Sequence, residues 1–295
     1  MEFLLEVRKD GIDFGDMVTI GRMDFLCSFP MIEQAFDRYG VAVTRDDISR
    51  FYTAADQFSE PILEFLGSTS VQSLDMSDFE GATIVHDLSE PIPDQHKKRF
   101  DLVFDSGTLE HVFNFPQAIR NCMEMAKVGG HVICVTPANN YLGHGFYQFS
   151  PELFYRVFSE ENGFRVKKML YRELSGECYE VADPAVVRNR VQARGIAPAE
   201  LLILAERTAD VPMFTANPQQ SDYAAEWQAM PEKGTSLERL HFWKGSKTPE
   251  EVSPLKAMVR KVRAPLGRFR RRFLREVVLR KHNLVLNPDH FSRRN

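Results

Sequence analysis

The sequence predicts an α/β protein built on an open, mostly parallel sheet with helices on its faces, and three neighbouring segments predict it. DLVF (Asp101–Phe104) opens on one acid and is followed by another, Asp105, and is otherwise a short apolar run, as suits a strand buried on both sides. Phe115 to Ala126 carries apolar residues at helical spacing (Ile119, Met123, Ala126), and Gly129 and Gly130 then punctuate it in the manner of a helix C-terminus. HVICVT (His131–Thr136) is a second buried strand. Strand, helix and strand joined by short turns make the βαβ unit of a parallel sheet.

The other elements follow in chain order. MVTI (Met17–Ile20) reads as the first strand, with Gly21 after it. Gly21 has two readings: close approach of the backbone to a ligand, or a simple turn glycine. FPMIEQAFDRY (Phe29–Tyr39) has the apolar spacing of a helix and Gly40 as its stop, and Asp46–Tyr52 suggests another, shorter one. SEPILEF (Ser59–Phe65) reads as a helix capped by Ser59, with Pro61 near its start and Gly67 ending it. VQSLD (Val71–Asp75) is the second strand and ATIVHDL (Ala82–Leu88) the third; Arg165–Arg172 is a sixth and Glu200–Arg207 a seventh. Gly176–Pro198, rich in Asp, Pro and Arg, reads as a surface connection, and Thr208–Glu238 as loop. Neither an internal repeat nor a low-complexity tract interrupts this order.

Composition narrows the class. A chain of 295 residues allows one large domain with additions, or two domains, and 43% hydrophobic with 26% charged residues is the make-up of a protein with a full core. No apolar run approaches the ~18 residues that span a bilayer. MEFLLEVRKDG, at the start, carries charge inside its apolar run and lacks a small-residue cleavage site, so it does not read as a secretory signal. Cys27, Cys122, Cys134 and Cys178 form no CxxC pair and read as reduced thiols of a cytosolic protein. No His/Cys cluster has the spacing of a metal site, and none is expected.

FDLVFDSGTLEHV (Phe100–Val112), the VGG turn (Val128–Gly130) and FSPELF with the later GF (Phe149–Phe164) together resemble the second half of the class I S-adenosylmethionine-dependent methyltransferases. The resemblance extends from Val71 to Arg207. The family's glycine-rich loop is degenerate: Gly21 stands alone, followed by Arg22, Met23 and Asp24, and the acid that usually ends the first strand is missing near Thr19. The resemblance implies a Rossmann-like sheet of seven strands with one antiparallel strand near the edge. It also implies S-adenosyl-L-methionine as cofactor and a methyl group as cargo.

It further implies site residues. Asp75, at the end of the second strand, takes the position of the ribose-binding acid. Asp87 takes that of the adenine amino acceptor, with Leu88 supplying a backbone amide. Asp105 and Ser106 fall where cofactor contacts cluster, and Gly107 permits the turn there. The residues themselves allow either role: ligands lie beyond the carboxyl ends of strands in open α/β sheets, yet an Asp there also caps the next turn. Gly21 would approach the methionine part. Aligning the Ser59 helix with the one that follows the glycine loop makes 22–52 an insertion over the cofactor mouth, a lid or a substrate-recognition element.

Methyl transfer from a sulfonium is an in-line displacement, so the protein contributes positioning and, for weakly acidic acceptors, a base. Glu110 and His111 follow the fourth strand, and His144 the fifth, between Gly143 and Gly145. Imidazole suits the role because its unperturbed pKa is about 6.5. The rival reading of His111 is a loop histidine bonded to a neighbour's backbone. Tyr147 and Gln148 line the acceptor pocket or, for Tyr147, pack on the sheet edge. A small molecule or a saccharide is the expected acceptor. The alternative is a methyltransferase-like binding or scaffold protein without activity, which the degenerate loop favours and the Asp75, Asp87, Glu110 and His111 set disfavours. A serine hydrolase lacks its G-x-S-x-G elbow at Ser106, and a dinucleotide enzyme its G-x-G-x-x-G after the first strand.

Charge is segregated. Leu255–Asn295 holds 13 Lys or Arg against Glu276 and Asp289, or +11, so the remaining 254 residues carry −15 of the net −4. Leu266, Phe269, Phe273, Leu274, Val277 and Val278 form the stripe of an amphipathic helix whose other surface is arginine-rich. Such a helix docks on the body with a solvated basic face, or lies on an anionic membrane or glycolipid surface. Nucleic acid is the least supported partner, since no recognisable module accompanies it. The expected organisation is an α/β domain over 1–210, a loop-rich connection over 211–254 and the basic tail over 255–295. The expected location is cytoplasmic, with peripheral contact at the inner membrane surface.

Overall fold

A computed structural model describes residues 1–52, 57–187, 190–195, 197–229, 284–286 and 291–293. Five strands run parallel: β1 (Gly15–Ile20), β2 (Ser68–Asp75), β3 (Ile84–Val85), β4 (Phe100–Ser106) and β5 (Ala126–Asn139). β9 (Ala199–Arg207) lies antiparallel between β5 and β6 (Phe164–Glu173). β7 (Cys178–Val181) and β11 (Phe291–Arg293) extend that edge, giving the order β11-β7-β6-β9-β5-β4-β1-β2-β3. β8 (Ala193–Gly195) and β10 (Leu284–Leu286) form a separate antiparallel pair.

The sheet separates two apolar layers. On one face α5 (Phe115–Met125) and α6 (Pro151–Val157) pack Ile119, Met123 and Phe154 against Val103 and Val132. On the other, α1 (Glu2–Lys9), α2 (Phe29–Tyr39), α3 (Arg45–Arg50) and α4 (Glu60–Phe65) bury Leu5, Ile32, Phe36, Ile48 and Leu63 against Met17 and Leu102. Each fully buried side chain of this size contributes roughly 1.5–3 kcal/mol relative to exposure. The strand order reverses at β1, whose neighbours β2 and β4 lead away in opposite directions. That is the switch point outside which open α/β sheets form their ligand crevice.

Several expectations need correction. α1 was not anticipated; its Phe3, Leu4, Leu5 and Val7 are buried, and the Lys168 ammonium reaches Glu6 and Asp10 at 2.5 Å each. The Gly176–Pro198 connection contains β7, β8 and α7 (Pro184–Val187), and the 211–254 stretch contains α8 (Ser221–Ala229). Gly129 and Gly130 do not end a helix. α5 stops at Ala126, which turns extended, and the glycines form a bulge within β5 opposite Asp101. A Cβ on Gly130 would lie 2.9 Å from the Asp101 carbonyl oxygen, which leaves room for glycine alone. The third strand shrinks to Ile84–Val85. The proposed tail helix lies outside the described residues.

The 22–52 insertion is packed. Gly40 ends α2 at φ +68°, and a capping box between Thr44 and Asp47 starts α3. Phe36, Phe51 and Phe65 pack against one another, tilted or edge to face, at 5.2–6.4 Å between centroids, so α2 and α3 are sewn into the core beside α4. Only the Arg22–Cys27 part reaches the crevice.

Candidate functional site

The crevice is a cavity of about 580 Å³ at the carboxyl ends of β1, β2 and β4, within the ~300–1,000 Å³ span of small-molecule sites. It is lined by Ile20 and Gly21, by Asp75, by the Ser106–Gly107–Thr108 turn, and by Met23–Cys27 with α4. Gly21 has φ +77°, and its amide donates to the Leu74 carbonyl at 2.7 Å. A Cβ there would sit 2.7 Å from Thr108 Oγ1 and 4.0 Å from Asp75 Oδ2. Thr108 Oγ1 in turn donates to the Ile20 carbonyl at 2.8 Å, tying the end of β1 to the turn after β4. The space a side chain would fill at Gly21 is taken by Thr108, so a glycine is required there by the close approach of the turn after β4, with Asp75 Oδ2 beside it at the cavity.

Arg22 braces the mouth. Its Nε donates to Glu60 Oε1 at 2.7 Å, its Nη1 to the Glu80 carbonyl at 2.5 Å, and its guanidinium lies 3.8 Å from the Phe58 ring centre. Met23 and Phe25 are clipped to the chain before α4 through Ser59 N to Met23 O (2.9 Å) and Phe25 N to Gln57 O (2.6 Å). Arg22 and Thr108 were not singled out from sequence. Arg22 was seen only as a departure from a glycine loop, and nothing local marks Thr108.

Of the expected cofactor residues, the structure gathers Gly21, Asp75 and Ser106 around the cavity and leaves Asp87, Leu88 and Asp105 outside its lining. Asp87 Oδ1 accepts from Ser89 N at 2.8 Å, which is the turn-capping role. Leu88 is buried, and its carbonyl accepts from Asn121 Nδ2 at 3.0 Å. Asn121 also holds Glu90 O and Ile92 N, so α5 staples the loop after β3 from beneath. Asp105 is 0% exposed; its Oδ1 accepts from Thr108 N (3.1 Å) and Leu109 N (3.2 Å), anchoring the turn from behind the cavity wall. Burial, with the Glu110 carboxylate adding repulsion, pushes the Asp105 carboxyl well above the usual range. An acid at a strand end looks the same in sequence whether it faces the crevice or turns inward.

A second cluster adjoins the first. Glu110 is 1% exposed, and its Oε1 lies 3.1 Å from His144 Nε2. His111 and His144 are exposed, with ring centres 4.8 Å apart and nearly perpendicular. One ligand atom from each of the three residues lies within 4.8 Å of the other two. Glu110 and His111 sit in a 3-10 turn, Leu109–His111, after β4; His144 sits in the loop after β5. The two loops are clamped together by the Phe146 and Tyr147 amides, which donate to the Glu110 carbonyl at 2.8 and 3.3 Å. No metal was expected from spacing, because the third potential ligand comes from the next crossover loop.

Tyr147 and Gln148 both bond within the loops. Tyr147 OH donates to Phe113 O at 2.7 Å and its ring packs on Phe115 and Phe149; Gln148 Oε1 accepts from Tyr141 N at 2.8 Å. Phe113 and Phe146 add an apolar rim, 75% and 67% exposed and edge to face at 5.7 Å. Between cavity and cluster stands Gly107. It lines the cavity, and a Cβ on it would lie 3.6 Å from Glu110 Oε1.

Comparison with known proteins adds little to this geometry. No family model and no curated protein matches the sequence. Among solved structures, a methyltransferase-like protein from Bacillus halodurans is 13% identical, with 70% of this chain and 99% of that one covered and a TM-score of 0.36. TehB from Haemophilus influenzae is 15% identical over 59% and 66% of the two chains, TM-score 0.33. The branched-chain polyamine synthase from Thermus thermophilus, in complex with N4-aminopropylspermidine and 5'-methylthioadenosine, is 14% identical over 71% of this chain and 56% of its own, TM-score 0.35. Likenesses of this size carry no functional argument. Among the described residues no helix is long and apolar enough to cross a membrane.

Proposed function

We propose that the chain binds S-adenosyl-L-methionine in the crevice and transfers its methyl group to a small-molecule or saccharide acceptor held against the Glu110–His111–His144 cluster. The observation that carries the reading is a cavity at the carboxyl ends of β1, β2 and β4 lined by Gly21, Asp75 and the Ser106–Thr108 turn, with the Glu110–His144 pair beside that turn at Gly107. When bound, the cofactor supplies an electrophilic methyl on a sulfonium. Asp75 accepts hydrogen bonds from ribose hydroxyls, Gly21 admits the methionine part, and the Ser106–Thr108 turn forms the wall on the acceptor side. His144, oriented by Glu110, takes a proton from the acceptor, and the Phe113–Phe146 rim covers an apolar or sugar face.

Isothermal titration with S-adenosylmethionine and S-adenosylhomocysteine tests the reading. Saturable binding of both supports it, and absence of both overturns it. The second reading is a protein that binds but does not transfer, favoured by Arg22 locked across the mouth where the family has glycine. Transfer of a labelled methyl group to a panel of saccharides and small hydroxyl compounds separates the two. The proposed location is cytoplasmic, with the basic tail in contact with an anionic membrane surface.

A further inference from the structure

We propose that Glu110, His111 and His144 hold one divalent transition-metal ion, of the zinc, cobalt or nickel kind, with open coordination positions toward the acceptor side. This goes beyond the proposed methyl transfer and revises one part of it, since an imidazole nitrogen bound to an ion cannot also take the acceptor's proton; cofactor binding in the crevice is independent of it.

The donor set comes first. Two imidazoles and one carboxylate suit borderline first-row metals, whereas calcium and magnesium favour all-oxygen surroundings. Three protein ligands with free positions are the arrangement of metal sites that bind a further molecule; closed structural sites use four. Both histidine rings are exposed while Glu110 is buried, so the free positions face outward.

Burial comes second. Taking a carboxylate out of water is costly unless it is matched by charge or hydrogen bonds. Glu110 Oε2 is buried with no hydrogen-bond partner among the described residues, and Oε1 meets only the one imidazole nitrogen. A single contact to one exposed imidazole is poor compensation, and a cation at the cluster supplies what is missing.

Geometry comes third. Metal–ligand bonds of about 2.0–2.2 Å in a tetrahedron put ligand atoms roughly 3.4 Å apart. Glu110 and His144 already stand at 3.1 Å, and the widest separation in the trio is within 4.8 Å. The exposed His111 ring closes the difference by side-chain rotation. The backbone is already set: Phe146 and Tyr147 amides bind the Glu110 carbonyl, and Gly145, at φ +67°, lets the loop lie against it where a Cβ would be 2.8 Å from that oxygen.

The test uses the full chain, stripped with a chelator and titrated with cobalt(II) chloride in the absence of any methyl donor. The expected result is one equivalent bound, with visible d–d absorption of a tetrahedral or five-coordinate ion, displaced by zinc. His111→Ala and His144→Ala, both at exposed positions, each weaken binding by at least about tenfold, since removal of even an outer partner acts on the scale of 10–100-fold. Glu110→Gln is read alongside them, with circular dichroism to confirm its fold. Absence of cobalt absorption in the wild-type chain overturns the site, as does wild-type affinity in either histidine variant. Failure here leaves the methyl-donor titration untouched, and failure of that titration leaves this one untouched.

Discussion

Gly145 lies so close to Glu110 that a Cβ on it would be 2.8 Å from the Glu110 carbonyl oxygen and 3.0 Å from its Cγ. The loop that presents His144 is therefore seated on the very residue whose carboxylate His144 meets. Gly145→Ala adds a methyl group at φ +67° with no room for it, so the loop must lift. Expected are loss of most turnover, cofactor affinity within about threefold of wild type, and a stability loss of about 1–3 kcal/mol, the cost of strained backbone. Titration, a transfer assay and urea denaturation read these three. Unchanged turnover would remove the 141–148 loop from the acceptor site.

Asp75→Ala is expected to weaken S-adenosylmethionine binding by at least ~1 kcal/mol, the worth of a charge-assisted hydrogen bond. Asp87→Ala, outside the cavity lining, is expected to change it less. Calorimetry on both variants decides between them, and the reverse ranking would shift the ribose end of the site toward the loop after β3.

If His144 takes the acceptor's proton, His144→Ala lowers kcat and leaves cofactor affinity nearly intact, because the loss is confined to the transition state. The same pattern in His111→Ala alone would transfer the role to His111. Survival of turnover in both would leave positioning as the whole of catalysis.

Thiol chemistry reports on occupancy of the crevice. Cys122 and Cys134 are fully buried, and burial pushes both thiols well above their ordinary range, so neither forms the thiolate that reacts. Cys27 is partly exposed and lines the crevice. Iodoacetamide at pH 8 is expected to label Cys27 and spare Cys122 and Cys134, and S-adenosylhomocysteine to slow the Cys27 reaction. Labelling of Cys27 at one rate with and without ligand would place the ligand elsewhere.

A chain truncated before Leu255 is expected to keep its cofactor affinity. It loses β10 and β11, but β11 sits at the edge of the sheet opposite β3, far across the strand order from the crevice. The intact chain is expected to co-sediment with anionic vesicles more than with neutral ones, and less as salt rises, since surface charges are screened over ~10 Å. Co-sedimentation that ignores lipid charge would return the tail to a docked element.

What was legible in the sequence was local. α2 could be read because its apolar spacing and its Gly40 stop, in the left-handed region, lie within one stretch. β4 could be read because a central strand is apolar on both sides. α1 hid behind a charged, short sequence whose partner surface is assembled from α2, α4 and the sheet. Gly129 and Gly130 look like a helix stop, and only the pairing of β4 with β5 reveals a bulge. Asp75 and Asp105 are indistinguishable as strand-end acids, and the fold of the following turn sends one into the crevice and the other into the core. The Glu110–His144 contact joins two crossover loops, a proximity set by the β4–β5 pairing and by no spacing in the chain.

Gly107 is a partition one residue thick. Its far side is held by Asp105 through the Thr108 and Leu109 amides, and Thr108 is pinned to the end of β1. The crevice and the Glu110–His144 cluster therefore share this turn as a common wall. On the proposed reading, a substitution in this turn that widens one compartment displaces the boundary of the other, so acceptor scope and cofactor affinity are expected to vary together.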